Sequence, residues 1–174
     1  VLGVYDLCER LSKEFPQVFF EGCSSGGGRF DAGMLYYSPQ IWTSDLTDAW
    51  ERTKIQWGTS IAYPLSSMSC HVSACPNCHL KRITPLSTRG AVASLGATGY
   101  ELDLSKMTEG ELLTVKEQVR QYREIENIIL SGDLYRLCNP LEANYFCEMV
   151  VDKDRSRAYV VGMCSLTSPC EFNQ

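Results

Sequence analysis

The chain has 174 residues, 44% of them hydrophobic and 21% charged, with a formal net charge of −5. That is the composition of an ordinary folded domain with one sizeable core. The acidic balance and the absence of any basic run argue against a nucleic-acid footprint or an anionic membrane surface. No apolar run approaches the roughly 20 residues a membrane-spanning helix needs.

Residues 1–14 read as a helix, with Leu2, Tyr5, Leu7, Cys8 and Leu11 gathered on one side. The N-terminus lacks a start methionine and the pattern of a signal peptide, and the chain ends just after a strand-like run, so the sequence is expected to be part of something larger. Residues 17–22 (QVFFEG) form a short apolar strand with Cys23 at its carboxyl end. A long glycine-rich loop follows. Residues 39–44 (PQIWTS) form a second strand ending at Asp45, and 47–56 form the next helix, capped by Asp45 or Thr47.

A third strand is expected at 60–63 (SIAY), followed by the loop PLSSMSCH. Residues 85–95 form a small-residue helix, 100–104 (YELDL) a fourth strand, and 105–130 a long helix starting near Thr108 and ending at Ser131 and Gly132. Residues 144–151 and 157–166 are two β-runs joined by the turn DKDRS. Strand, loop and helix repeated in this way specify parallel strands with crossover helices. Four such units in roughly 130 residues amount to half of an eight-fold barrel. The fold expected is therefore α/β: a partial (β/α)8 TIM barrel over residues 1–138, then the start of an antiparallel β domain over 139–174.

In such folds chemistry gathers at the carboxyl ends of the strands. Cys23, Asp45 and the loop 66–71 lie at such ends. Gly26 and its two neighbours lack the lysine and spacing of a phosphate-binding loop, but let backbone approach a ligand closely. Arg29 and Asp31 are spaced to brace one another. Asp45 follows Trp42 on a strand end, which suits a proton-donating acid, a helix cap, or both. Asp48 reads as a residue of the helix's first turn. Trp42 and Tyr36 suit a sugar-stacking pocket, whereas Trp50 and Trp57, seven apart, suit helix packing.

The nine cysteines are Cys8, Cys23, Cys70, Cys75, Cys78, Cys138, Cys147, Cys164 and Cys170. The odd count favours reduced thiols in a cytoplasmic protein over a disulfide framework. The run CHVSACPNCH brings Cys70, His71, Cys75, Cys78 and His79 close in sequence. No second C-x-x-C completes a zinc site, so loop thiols are expected there, with no metal and no cofactor.

Together these residues resemble glycoside hydrolase family 36, the α-galactosidases. The resemblance runs through CSSGGGRFDAGMLYYSPQIWTSD, SSM…HVSACPN, RITPLSTRGAVA, GYELDLSKM and GDLYRL, and thins after about Leu141. It implies a (β/α)8 barrel followed by a β domain, and retaining hydrolysis of terminal α-galactosyl groups from sugars such as melibiose and raffinose. It implies Asp45 as acid/base, Cys23 and Gly26 lining the galactose pocket, and Arg29 and Asp31 supporting it. The family's nucleophile is an aspartate in a Lys-Trp-Asp motif on an earlier strand. The chain holds no such motif, which would lie upstream of Val1. The isolated chain is accordingly expected to be inactive and aggregation-prone.

Departures from the family fall at Leu46, where a second Asp is frequent, and at Ser69 and Cys70, where Gly-Ala is usual. Cys78 and His79 stand where His-Gln is usual, and Lys81 replaces a common glycine. Expected partners are α-galactoside oligosaccharides, with neither nucleic acid nor membrane, and a second copy of the intact protein as a candidate. Two other readings share these residues: a galactosyltransferase of the raffinose-synthase type, and a metal or thiol module built on Cys70–Cys78.

Overall fold

The computed structural model describes residues 2–23, 25 and 28–166. Two sheets organise the chain. Four parallel strands, β1 (Glu21–Gly22), β2 (Gln40–Trp42), β3 (Met68–Ser73) and β4 (Ala97–Glu101), lie side by side in sequence order. Three antiparallel strands follow: β5 (Asp133–Cys138), β6 (Tyr145–Val151) and β7 (Ala158–Cys164). The helices are α1 (Leu2–Glu14), α2 (Ala32–Tyr37), α3 (Ala49–Ser60), α4 (Leu86–Ala93) and α5 (Glu109–Ser131).

Several elements match the sequence reading: α1, the helices at α3 and α4, and the β6–β7 hairpin. The long helix starts where expected because Thr108 and Glu111 form a reciprocal capping box. The first strand is shorter than expected, since only Glu21 and Gly22 pair with β2. The glycine-rich region contains an unexpected short helix, α2.

The third strand is a correction. Residues 60–63 are not a strand: Ser60 closes α3, a turn follows, and Ile61 is 70% exposed. The strand lies instead at Met68–Ser73, within the stretch read as a loop. There Met68, Cys70 and Val72 are fully buried, while Ser69, His71 and Ser73 alternate onto the other face. The fourth strand also begins earlier than expected, at Ala97, and residues 104–106 form a 3-10 turn capped by Asp103.

The change from parallel to antiparallel pairing falls between β4 and β5. β5 was not expected as a strand, and it belongs to the antiparallel sheet ahead of the 138/139 division read from the sequence. Gly132 sits at this joint. A Cβ there would lie 2.4 Å from the Ile128 carbonyl oxygen and 2.6 Å from that of Val151, so no larger residue fits without a shift.

One apolar core joins both sheets. Trp57 of α3, Met68 and Cys70 of β3, and Ile128 and Ile129 of α5 pack with Phe146, Val150 and Val161 of the second sheet. The rings of Trp57 and Phe146 meet nearly edge-on at 6.3 Å. Arg136 of β5 donates to the Ser60 hydroxyl at 2.8 Å and to its carbonyl, satisfying the carboxyl end of α3.

Candidate active site

The site is built on the face of the parallel sheet opposite this core. Ile41 is in register with Met68 on the core side, and Trp42 with Ser69 on the other. Glu21, Trp42, Ser69, His71 and Ser73 thus form a polar and aromatic surface running to the carboxyl ends of the strands. The Ser69 hydroxyl donates to the Glu21 carboxylate. Burial pushes His71 below its ordinary pKa, against the pull of Glu21 and Glu101.

Trp42 is held from two directions. The Arg52 guanidinium lies over its ring at 4.6 Å, and the His71 ring is 4.6 Å away. Arg52 is itself buried and donates to the carbonyls of Ser69 at 3.0 Å and Ser44 at 3.4 Å. The indole N–H of Trp42 donates to Oδ1 of Asp45 at 3.0 Å. Asp45 is solvent-exposed and opens onto a cavity of about 410 Å³. Trp42, Asp45 and Thr47 line it from the end of β2, Ser73 from β3, Cys78 and His79 from the loop beyond, and Glu101 from β4. Such a volume suits a small ligand.

The neighbouring aspartates have other work. Asp48, not Asp45 or Thr47, caps α3: its Oδ1 accepts from the N–H groups of Trp50 and Glu51, both at 3.1 Å. It is 2% exposed and paired with Arg82. The expected brace between Arg29 and Asp31 is not formed. Asp31 caps α2 instead, accepting from the Met34 N–H at 2.9 Å and the Tyr5 hydroxyl at 2.8 Å, and these bonds lower its pKa. Arg29 and Cys23 are exposed, and neither lines the cavity. Gly26 lies outside the described residues. Tyr36, expected at the pocket, is 79% exposed on α2, and Trp57 is in the core as expected.

The cysteine run is divided by the fold. Cys70 is buried in β3, its thiol pushed up to about 11 by burial, while Cys75, Cys78 and His79 are exposed on the following loop. Among the described residues no three His, Cys, Asp or Glu side chains gather to hold a metal ion. Glu21 and Glu101 escaped sequence reasoning, and His71, weighed there with the cysteine run and the 66–71 loop, was not placed beside Trp42. The alternation in MSCHVS carried the signal for His71.

A parallel sheet with crossover helices and a carboxylate-bearing cavity at its strand ends defines an α/β unit with an enzyme-like site. A family profile described as Melibiase matches residues 1–132. The chain belongs to the Melibiase family. It is 51% identical over 160 residues to α-galactosidase AgaA of Geobacillus stearothermophilus, covering 92% of this chain and 22% of that protein. It is 52% identical over 160 residues to α-galactosidase Mel36A of Lactobacillus acidophilus, with the same two coverages.

The crystal structure of the GH36 enzyme AgaA superposes with a TM-score of 0.95 at 48% identity, over 97% of this chain and 24% of that one. A variant of AgaA in complex with raffinose superposes with a TM-score of 0.91 at 50% identity, over 92% and 22%. The chain therefore spans between a fifth and a quarter of the length of these relatives.

Proposed function

We propose that these residues supply the acid/base half of a retaining α-galactosidase. The observation that carries the reading is Asp45, held by the Trp42 indole at the mouth of a sugar-sized cavity, in a chain about half identical to α-galactosidases. The parallel strands β1–β4 are read as the second half of a (β/α)8 barrel, and β5–β7 as the opening of an antiparallel domain. Substrates are terminal α-galactosides of the raffinose and stachyose type, sugars bound in crystal structures of AgaA variants.

Retaining hydrolysis needs a second carboxylate roughly 5–5.5 Å from the acid/base. We assign it to residues outside these 174. That carboxylate attacks the anomeric carbon while Asp45 protonates the departing oxygen. Asp45, now an anion, takes a proton from water as the galactosyl–enzyme bond is hydrolysed. Trp42 keeps the Asp45 carboxyl aimed through both steps, since Arg52 and His71 fix the indole. Cys23, Gly26 and Trp42 remain proposed to contact the galactose, with Arg29 and Asp31 supporting the pocket, Asp31 by capping α2.

The test is Asp45→Asn in the intact protein. Melibiose hydrolysis is expected to fall by about 10²–10⁴-fold. Formation of the galactosyl–enzyme from an activated aryl galactoside is expected to persist, and added azide should then yield an α-galactosyl azide. Unchanged melibiose turnover would remove Asp45 from this role.

A further inference from the structure

The cavity that holds Asp45 also holds a thiol with a base beside it. Cys78 and His79 both line this cavity, and the Cys78 Sγ lies 3.2 Å from the His79 Nδ1. Both side chains are exposed. A thiol within hydrogen-bond reach of an imidazole, on an open surface, is arranged as a nucleophile with its proton acceptor.

The loop that carries the pair is fixed to the Asp45 segment. Asn77 is 4% exposed. Its Oδ1 accepts from the N–H groups of His79 at 3.0 Å and Leu80 at 2.9 Å, and its Nδ2 donates to the Thr47 hydroxyl at 3.1 Å. The Ser73 hydroxyl donates to the Thr47 carbonyl at 3.0 Å. Lys81, at a φ of 57°, turns the loop back, and its Nζ donates to the Cys78 carbonyl at 2.8 Å. Thr47 follows Asp45 by two residues, so thiol and carboxylate share one scaffold.

Nearby Cys75 supplies an internal comparison. It is exposed, lies three residues before Cys78, and does not line the cavity. The chain has two histidines. The other, His71, has its ring 4.6 Å from that of Trp42, so His79 is the imidazole available to the loop thiols.

We propose that Cys78 is a site of reversible mixed-disulfide formation with small disulfides, and that the adduct closes the cavity to sugar. The consequence for turnover rests on the α-galactosidase reading; the thiol chemistry does not. His79 Nδ1 accepts the Sγ proton, and the thiolate attacks one sulfur of a disulfide RS–SR. The S–S bond breaks, Cys78–S–S–R forms, and the other half leaves as a thiolate that takes up the proton as RSH. The incoming disulfide is the oxidant, and no other is needed. An excess of thiol runs the step backwards. A glutathionyl group is larger than a hexose, so its presence at the rim excludes one.

The experiment treats the intact protein with glutathione disulfide and follows two readouts: the mass of the peptides bearing Cys75 and Cys78, and turnover of an aryl α-galactoside. The expected result is one glutathionyl group on Cys78, gained at least about tenfold faster than on Cys75 and slowed by galactose. Turnover should fall at least about tenfold, in step with that mass, and return with dithiothreitol. Cys78→Ser, compared with its own untreated rate, should be insensitive. His79→Gln should be modified about tenfold more slowly at the same thiol. Modification of Cys75 or Cys23 in preference to Cys78, a Cys75–Cys78 disulfide in place of the adduct, or full adduct with undiminished turnover would each overturn the proposal. A protein that turns over no α-galactoside before treatment sinks the functional reading instead, and the exchange is then judged by mass, Cys78 against Cys75.

Discussion

The indole of Trp42 and the carboxylate of Asp45 are joined by a 3.0 Å hydrogen bond across a strand end, and both the Arg52 guanidinium and the His71 ring lie 4.6 Å from the indole. Asp45 is exposed, so its orientation depends on this hydrogen bond from the half-buried Trp42 rather than on packing.

Removing the donor while keeping an aromatic ring isolates that dependence. Trp42→Phe in the intact protein is expected to lower kcat for melibiose by about 10–100-fold, the worth of a hydrogen bond to a charged group. Activated aryl galactosides should suffer less, because their leaving groups need little protonation. Equal losses on both substrates, measured side by side, would assign Trp42 to sugar binding alone.

Asp45 and Asp48 are three residues apart and should separate cleanly. In the intact protein Asp45→Asn is expected to lower melibiose turnover by about 10²–10⁴-fold without shifting the thermal midpoint. Asp48→Ala strips the cap from α3 and leaves Arg82 without its buried partner, a destabilisation on the order of 2–4 kcal/mol. Calorimetry of the two variants checks the split; a stable Asp48→Ala protein would contradict it.

Glu148 predicts how stability changes with pH. It is fully buried on β6 opposite Arg136 of β5, and neither carboxylate oxygen has a hydrogen-bond partner among the described residues. Burial pushes its pKa up to about 7 from an ordinary 4.5, with Arg136 opposing the rise. The folded state thus binds the proton more tightly than the unfolded chain, so stability falls as pH rises from 4.5 to 7. Above pH 7 the penalty is complete, on the order of 3 kcal/mol. Glu148→Gln should therefore raise the thermal midpoint at pH 8 and change it little at pH 4.5. Equal shifts at both values would show that the carboxyl charge is not the cause.

Gly132→Ala should cost stability through contact rather than conformation. The glycine has an ordinary φ of −74°, but an added Cβ meets two carbonyl oxygens and a valine methyl within 2.8 Å. A loss of about 1–3 kcal/mol is expected, read as a lowered denaturation midpoint. A neutral variant would mean that α5 and β5 can move apart.

How far the sequence revealed this molecule depended on where its signals were local. The start of α5 is written in Thr108 and Glu111, and the β6–β7 turn in DKDRS. The third strand was legible too, since MSCHVS alternates apolar and polar residues, but SIAY is the more apolar run and drew the assignment. In the fold, SIAY only ends a helix. β5 was harder, because DLYRLC is mostly exposed and becomes a strand through its pairing with β6. At the site, Asp45 and Trp42 were legible as a strand-end aromatic and acid. Asp31 was misread because its spacing from Arg29 fits a brace as well as it fits a cap, and α2, which decides between them, left no periodic trace in six residues. Glu101 and the Cys78–His79 pair reach the cavity from elements more than 30 residues from Asp45, a proximity that register and loop geometry create.

The core formed by Trp57, Met68 and Cys70 with Phe146, Val150 and Val161 bears on modularity. A protein cut at Gly132, or a chimaera that grafts these four parallel strands onto another C-terminal partner, exposes half of that apolar surface on each side. The site at the strand ends is therefore not portable by itself: it travels with the sheet that sits on the far side of the helices, and homologous exchange between relatives should succeed only where both sides of this seam are inherited together.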